Sequence, residues 1–205
     1  MLLYNSIGPN PKVVRMFIAE RGVTGIEMQE VDLRGGENRQ AEHLRRNPAG
    51  QCPALQLDDG SYLTEITAIC EYLDETTTGG TSLIGATAQE RAETRMWVRR
   101  IDLNIVEPMT AGFRFSDGLK MFQNRVHCIP QAADDLKAIA RERLTWLDGL
   151  VAGRTFICGE RLTLADIMLF AFLQFGAAVK QPLDPANMNL TAWYERMAAR
   201  PSASV

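Results

Sequence analysis

The chain has 205 residues, of which 46% are hydrophobic and 23% charged, and its formal net charge is -3. This length suffices for one large domain or two small ones that each bury an apolar core. The acidic balance gives no broad positive field, and no run of Lys and Arg is long enough to follow a phosphate backbone, so we expect no nucleic-acid partner.

The sequence has no segment typical of export or of a membrane span. Residues 1–10 lack the basic start and the apolar run of a signal peptide, and no stretch approaches 18 uninterrupted apolar residues. We therefore expect a cytoplasmic protein with no membrane partner.

The cysteines show no pattern of a zinc or dithiol site. None of them forms a Cys-x-x-Cys pair or stands at ligand spacing from a histidine; the four are Cys52, Cys70, Cys128 and Cys158. We expect no metal site, since free cysteines in a reducing compartment are mostly small buried hydrophobes.

The first 75 residues alternate between strand and helix patterns. Pro11 suits the first turn of a helix, Gly22 suits its end, and the Asp-Gly pair at 59–60 is typical of a hairpin. In chain order the pattern predicts a strand (2–5), a helix ending at Gly22, a strand (26–33), an irregular helix (37–46), a hairpin (53–57 with 62–63) and a helix (65–74). This order is compatible with a small mixed sheet covered by helices.

Most of the remaining chain has helical patterns. Residues 76–81 are rich in Thr and Gly and have the composition of a linker. After them we expect a helix over 88–107 that ends before Pro108, a helix over 129–150, a buried apolar helix that begins at a capping box of Thr163 and Asp166, and an amphipathic helix around Trp193. The predicted division is a domain at 1–75, a linker at 76–86 and a domain at 87–205.

Three segments carry a resemblance to a known family. They are residues 3–22, residues 47–55 with 63–73, and residues 162–167 with Trp193-Tyr194 and 200–202. In order and separation they resemble the glutathione transferase superfamily over essentially the whole chain. The turn at 8–11 and the pattern around Phe113 are most similar to the fungal and bacterial branch that includes the yeast type-two glutathione transferase.

The resemblance implies a fold and an assembly. The fold is an α/β N-terminal thioredoxin-like domain that binds glutathione, followed by an all-α C-terminal helical domain that supplies most of the electrophile pocket. The implied assembly is a cytoplasmic homodimer in which the first domain of one subunit faces the second domain of the other.

The resemblance also implies contacts to the cysteinyl and glycyl units of glutathione. Pro53 should follow a cis peptide bond, which turns the backbone of Cys52 toward the cysteinyl unit; otherwise Pro53 simply begins an edge strand. The glycyl carboxylate is expected to meet Asn38 and Gln51. Arg39 is either a further contact or an exposed side chain.

Glu65 and Ile66 are the implied contacts to the γ-glutamyl unit. Glu65 would pair with the ammonium group, and a carboxylate is also favourable where it stands, just before a helix. Most of the superfamily has Ser at the next position, and Ile66 leaves only a backbone N–H for the γ-glutamyl carboxylate. The missing hydroxyl predicts a loss of about 1 kcal/mol in glutathione binding.

The sequence offers three candidates for the group that would activate the thiol. A thiol of pKa about 8.5 to 9 is mostly protonated at neutral pH, so a transferase has to stabilise the thiolate. The superfamily mostly uses a Tyr, Ser or Cys near the end of the first strand, where this chain has Gly8, Pro9 and Asn10. Tyr4 is either the thiolate partner or a packing residue. Asn10 is either an amide donor to the thiol or a helix cap.

The segment at 113–116 is the third candidate for this role. In the similar branch a His and a hydroxyl on the fourth helix hold an activating water, but this segment contains no His. Arg114 either stabilises the thiolate by its charge or is an exposed residue. The electrophile pocket is expected to draw on Phe113, Arg114, Phe115, Met168 and Phe172.

Three functions are compatible with these residues. The leading hypothesis is an enzyme of detoxification that conjugates glutathione, as its co-substrate, to small hydrophobic electrophiles. The second is a glutathione-dependent peroxidase or thiol reductase, although the lack of a cysteine after the first strand argues against a reductase. The third is a non-catalytic ligand-binding protein of the same fold, which Gly8, Pro9 and Ile66 motivate.

Overall fold

The computed structural model describes residues 1–205 and divides into two compact units. Unit 1 comprises Met1–Ile84 together with Pro201–Val205, and unit 2 comprises Gly85–Arg200. The sequence pattern assigned the last five residues to the second domain. They belong with unit 1 because Lys12 Nζ donates to the carbonyl of Ala203 at 2.8 Å and Ser202 donates to Glu20.

Unit 1 contains a four-stranded mixed sheet. Its elements are β1 (Leu2–Asn5), α1 (Pro9–Arg21), β2 (Glu27–Glu30), α2 (Ala41–Arg46), β3 (Ala54–Gln56), β4 (Tyr62–Leu63) and α3 (Ile66–Thr76), with a short 3₁₀ turn at Glu37–Arg39. The strand order is β2-β1-β3-β4, in which β1 and β2 are parallel and the other neighbours antiparallel. The predicted mixed sheet and its order of elements are confirmed, while the second strand is shorter than the pattern indicated.

The side chain of Arg21, at the end of α1, forms a buried ion pair with α3 and also bonds to the Thr- and Gly-rich segment that follows α3. Arg21 Nε donates to Asp74 Oδ1 at 2.9 Å, and both side chains are buried. The same guanidinium donates to the carbonyls of Thr77 and Gly79, each at 2.6 Å. The buried guanidinium of Arg21 needs hydrogen-bond partners, and these two carbonyls supply them. The segment is therefore held against unit 1.

Unit 2 is all helical. Its helices are α4 (Ala88–Ile101), α5 (Glu107–Arg114), α6 (Leu119–Phe122), α7 (Ala133–Leu150), α8 (Leu164–Ala178) and α9 (Met188–Ala198). None of the helices in the structure combines the length and the apolar character needed to span a bilayer. The α/β and all-α fold classes are those expected from the sequence.

The helix predicted to end before Pro108 continues through it. A π-helical turn at Asp102–Val106 joins α4 to α5, and the N–H of Glu107 bonds to the carbonyl of Asp102. Proline lacks an N–H and its ring clashes with the carbonyl four residues back in an α-helix. The wider π turn relieves that conflict, so Pro108 lies inside a helical segment where the sequence rule predicts an end.

Helix α8 is the core of unit 2, and its start is fixed by a buried carboxylate. Asp166 is 0% exposed and accepts hydrogen bonds from the N–H groups of Thr163 and Ile157 and from the indole of Trp193, at 2.8 to 2.9 Å. Burial raises the pKa of this carboxyl, and the hydrogen bonds act in the opposite direction. The capping box and the buried helix predicted from the sequence are both present.

Candidate functional site

Unit 1 has an open cleft of about 260 Å³ formed by three separate pieces of chain. These pieces are the first turn of α1, the loop that leads into β3, and the start of α3. The lining residues are Asn10, Asn47, Gln51, Cys52, Pro53, Glu65 and Ile66. Six of these seven were singled out from the sequence as glutathione contacts.

The loop before β3 has a backbone N–H without a partner, at Cys52. The Cys52–Pro53 peptide bond is cis, as the resemblance implied. The N–H of Cys52 forms no hydrogen bond within the chain. A backbone N–H without a partner suits a hydrogen bond to the backbone of a short peptide, because the free group then finds a partner.

Side chains from behind the loop hold its shape. Asn38 is buried and donates from Nδ2 to the carbonyl of Gly50 at 2.6 Å, while Asn47 accepts from the N–H of Ala49 at 3.0 Å. Arg39 Nη1 lies 3.4 Å from the carbonyl of Ala49. Asn38 and Arg39 therefore bond to the loop and are absent from the cleft lining, whereas Gln51 is exposed and lines it.

Glu65 stands in a strained backbone conformation at the mouth of α3. Its φ is 66° and its ψ 120°, a region that residues with a side chain rarely adopt, and its carboxylate is exposed without an ion pair. Such outliers cost about 1–3 kcal/mol and cluster at functional sites. The unusual backbone conformation therefore coincides with a carboxylate that lines the cleft and has no ion pair.

Replacing Glu65 by Gly separates this strain from function. We expect Glu65→Gly to raise the free energy of unfolding by about 1 kcal/mol, because Gly adopts positive φ at low cost. Chemical denaturation measures this change. Unchanged or lower stability would show that the conformation carries no strain.

The start of α3 offers backbone donors beside that carboxylate. No side chain caps the helix, and Ile69 is the first residue whose N–H bonds to a carbonyl of the turn, that of Glu65 at 3.0 Å. The N–H groups of Ile66 and its neighbours therefore remain free. Free N–H groups at a helix N-terminus bind anions, because they add to the positive end of the helix dipole.

Asn10 is the polar group at the start of α1. The helix begins with Pro9, and Pro11 follows Asn10, so Asn10 has the only N–H among the first three helical residues. Its side chain lines the cleft and forms no hydrogen bond within the chain. Both its backbone and its side-chain amide are therefore available as donors.

Tyr4 does not line the cleft. It is 4% exposed, its hydroxyl donates to Gln56 Oε1 at 3.1 Å, and the guanidinium of Arg46 lies 4.0 Å from the centre of its ring. Burial raises the pKa of the Tyr4 hydroxyl, which makes it a poorer source of a proton. The geometry favours the packing interpretation of Tyr4 over the thiolate role.

The residues expected to form the electrophile pocket, including the charged Arg114, lie in unit 2. Phe113 packs edge-on against Phe122 and Phe175, with ring centres 6.1 and 5.3 Å apart. Arg114 Nη1 lies 3.8 Å from Glu107 Oε1, and Phe115 is the capping residue that follows α5. The other two expected members, Met168 and Phe172, are buried within α8.

Cys52 contributes its backbone to the cleft, while its thiol belongs to the core beside Tyr4, Val31 and Ala54. Burial, together with the negative charges of Glu37 and Glu30, raises the pKa of the Cys52 thiol to about 12. This thiol stays protonated at neutral pH, so it is no nucleophile.

Two residues of the site could not be read from the sequence. Asn47 lines the cleft, and His43 is buried behind it with Nε2 2.9 Å from the carbonyl of Gln51. In the sequence, the spacing of His43 from the cysteines argues only against a metal site and gives no signal for this contact. Its contact depends on how the loop folds back over α2, which no sequence pattern encodes.

The fold and the cleft together define a class of protein. A mixed four-stranded sheet, a cis-proline loop and a free helix N-terminus form a thioredoxin-like unit with an open cleft, and a helical unit follows it in the chain. The family model for the glutathione S-transferase N-terminal domain matches residues 7–76, and that for the C-terminal domain matches residues 129–201.

Comparison with known proteins agrees with both matches. The chain is 32% identical to glutathione S-transferase 2 of Saccharomyces cerevisiae, over 98% of this chain and 87% of that protein. The solved structure of yeast Gtt2 superimposes with a TM-score of 0.91 at 30% identity, covering 100% of this chain and 99% of that one. The chain belongs to the glutathione S-transferase family and is a glutathione transferase, which confirms the family resemblance and the branch indicated by the sequence.

Two further relatives show the range of this fold. A glutathione S-transferase domain-containing protein from Marinobacter aquaeolei VT8 has a TM-score of 0.92 at 34% identity, covering 98% of this chain and 99% of that one. Human elongation factor 1-gamma is 34% identical over 78% of this chain, but the match spans only 35% of that protein.

Proposed function

We propose that the cleft of unit 1 binds reduced glutathione and that the protein conjugates it to small hydrophobic electrophiles. The observation that carries this proposal is the set of unpaired groups in the cleft, which matches a tripeptide with one ammonium and two carboxylate groups. The Glu65 carboxylate, the free N–H groups of α3 and the free N–H of Cys52 are complementary to such a molecule.

Each unit of glutathione has a matching part of the cleft in this proposal. The γ-glutamyl ammonium pairs with Glu65, and its carboxylate accepts from the N–H of Ile66 at the start of α3. The cysteinyl unit pairs with the backbone of Cys52. The glycyl carboxylate meets Gln51, while Asn38 supports the loop from behind.

The thiol then lies near Asn10, the polar group at the start of α1 that has no partner in the chain. Amide N–H groups cannot remove a proton, but they stabilise a thiolate once it forms, and the positive end of the α1 dipole adds to this effect. The activation proposed here is therefore electrostatic. Arg114, in unit 2, is the alternative source of charge for the thiolate.

Replacing Asn10 by Ala tests this role. We expect the pKa of the bound glutathione thiol to rise by roughly 1 unit and kcat/KM to fall about tenfold, since a hydrogen bond to a charged group contributes roughly 1.5–3 kcal/mol and the backbone N–H remains. Thiolate absorbance against pH gives the pKa. Asn124→Ala, at an exposed position, is the matched control, and an unchanged thiol pKa in Asn10→Ala would contradict the proposal.

The proposed reaction is tested with wild-type protein. Isothermal titration with reduced glutathione should show binding, and conjugation of chloro-dinitrobenzene should proceed above the uncatalysed rate. No heat of binding would refute the proposal. Turnover of cumene hydroperoxide without conjugation would instead establish the peroxidase hypothesis.

A non-catalytic ligand-binding role is the second candidate, and one observation favours it. The cleft lining has no hydroxyl and no histidine, and its one carboxylate, that of Glu65, is assigned to the γ-glutamyl ammonium group, so no general base is left for the thiol. A bound thiol whose pKa equals that of free glutathione would support this role. A reductase that uses its own cysteine is disfavoured, because the Cys52 thiol is buried and protonated.

The proposed assembly and location follow the family. We propose a cytoplasmic homodimer that serves detoxification, with the first domain of one subunit facing the second domain of the other. Analytical ultracentrifugation tests the assembly. A single species of 22.8 kDa would refute the dimer.

A further inference from the structure

His43 is a buried polar residue that the proposed reaction does not use directly. Its side chain is 1% exposed and extends from α2, and its Nε2 lies 2.9 Å from the carbonyl oxygen of Gln51. A carbonyl oxygen only accepts hydrogen bonds, so Nε2 carries the proton. The sulfur of Cys52 is farther away, at 3.9 Å, and is a weak acceptor, so this proton belongs to the carbonyl.

The Gln51 carbonyl receives a second hydrogen bond. Asn47 Nδ2 donates to it at 3.0 Å, so two buried side chains, those of His43 and Asn47, hold this one oxygen. Gln51 O and the N–H of Cys52 belong to one peptide unit, and that unit is trans, because the only cis bond of the chain is the next one. In a trans peptide the carbonyl and the N–H point in opposite directions.

The orientation of Cys52 follows from this geometry. With its carbonyl partner held inward by two donors, the peptide unit directs the Cys52 N–H outward, and this N–H has no partner within the chain. The hydrogen bonds on the carbonyl also polarise the peptide and strengthen the N–H as a donor. His43 therefore orients the Cys52 N–H through its hydrogen bond to the Gln51 carbonyl, without contacting that N–H itself.

We propose that His43, as the Nε2–H tautomer, is a positioning residue for glutathione: it fixes the Gln51–Cys52 peptide so that the Cys52 N–H meets the cysteinyl unit. This inference rests on the proposed function. It assigns His43 a role in binding the tripeptide and none in the chemical step, so KM for glutathione and kcat should respond differently to its replacement.

Three substitutions separate positioning from packing. His43→Phe keeps a ring of similar size without a donor, His43→Gln places an amide N–H near the position of Nε2, and His43→Asn has an amide too short to reach the carbonyl. We expect His43→Phe and His43→Asn to weaken glutathione binding about fivefold to tenfold, while kcat at saturating glutathione changes less than about twofold. His43→Gln should bind within about threefold of wild type.

The same variants have a spectroscopic readout that needs no ligand. The ¹⁵N resonance of the Cys52 amide reports the hydrogen bonds on the carbonyl of its own peptide unit, so it should move in His43→Phe and His43→Asn and return toward the wild-type position in His43→Gln. A role in packing alone would change stability in all three variants without restoring this resonance in His43→Gln.

The outcomes are distinguishable. Weakened binding in His43→Phe or His43→Asn with recovery in His43→Gln supports the inference. Wild-type affinity in His43→Phe, or a Gln variant no better than the Phe variant, overturns it and leaves the proposed function intact. Wild-type protein that binds no glutathione in the titration overturns the proposed function and this inference with it.

Discussion

Replacing Glu65 by Gln is expected to weaken glutathione binding about 30-fold, which corresponds to about 2 kcal/mol. The amide keeps the size of the side chain and removes the charge that pairs with the γ-glutamyl ammonium. Glu65 forms no ion pair within the chain and lines the cleft, so the substitution should lower glutathione affinity and leave the stability of the fold largely unchanged. Isothermal titration of both proteins with reduced glutathione measures the change.

Glu75→Gln is the matched control for this experiment. Glu75 is exposed at the far end of the same helix, α3, so the substitution changes the net charge by the same amount without touching the cleft. Its glutathione affinity should equal that of the wild type within about twofold, since exposed charges interact weakly at a distance in salt. Equal loss in both variants would show a general charge effect and contradict the assignment of Glu65.

Replacing Asp166 by Ala is expected to lower the free energy of unfolding by about 4 kcal/mol. The substitution leaves three buried donors without a partner, namely the N–H groups of Ile157 and Thr163 and the indole N–H of Trp193. Each buried group left unsatisfied costs about 1–3 kcal/mol. Thermal unfolding should show a fall in Tm of roughly 10 °C, given the usual scaling for a chain of this size.

An exposed carboxylate provides the comparison for Asp166. Asp135 lies in the first turn of α7 and is exposed, so Asp135→Ala should change stability by less than about 1 kcal/mol. A small effect in Asp166→Ala would mean that the three donors find water or other partners. That result would contradict the role of Asp166 as the link between the start of α8 and α9.

The parts of the fold that follow local rules could be predicted from the sequence. The hairpin at Asp59-Gly60, the end of α1 at Gly22 and the capping box at Thr163 each depend on a few adjacent residues, and all three are present. Pro108 shows where such rules fail. Whether a proline ends a helix depends on the turn before it, and here a π turn accommodates the ring.

The residues that line the cleft could be predicted from the sequence, but the side chains that hold its loop in place could not. Glu65, Cys52 and Pro53 are named by the family motif, and the structure brings them together. The tethers behind the loop come from His43 and Asn38, whose contacts depend on the path of the chain between α2 and β3. For Tyr4 the sequence predicts the position on β1 correctly, but it does not show that the hydroxyl bonds to Gln56 within the sheet.

A crystal structure of the protein with reduced glutathione tests the central claim most directly. We expect the tripeptide in the cleft of unit 1, with its cysteinyl unit on the backbone of Cys52, its ammonium group at Glu65 and its sulfur within hydrogen-bond reach of Asn10. A tripeptide bound elsewhere, or a sulfur atom that contacts neither Asn10 nor any other donor, would contradict the account of thiol binding and activation given above.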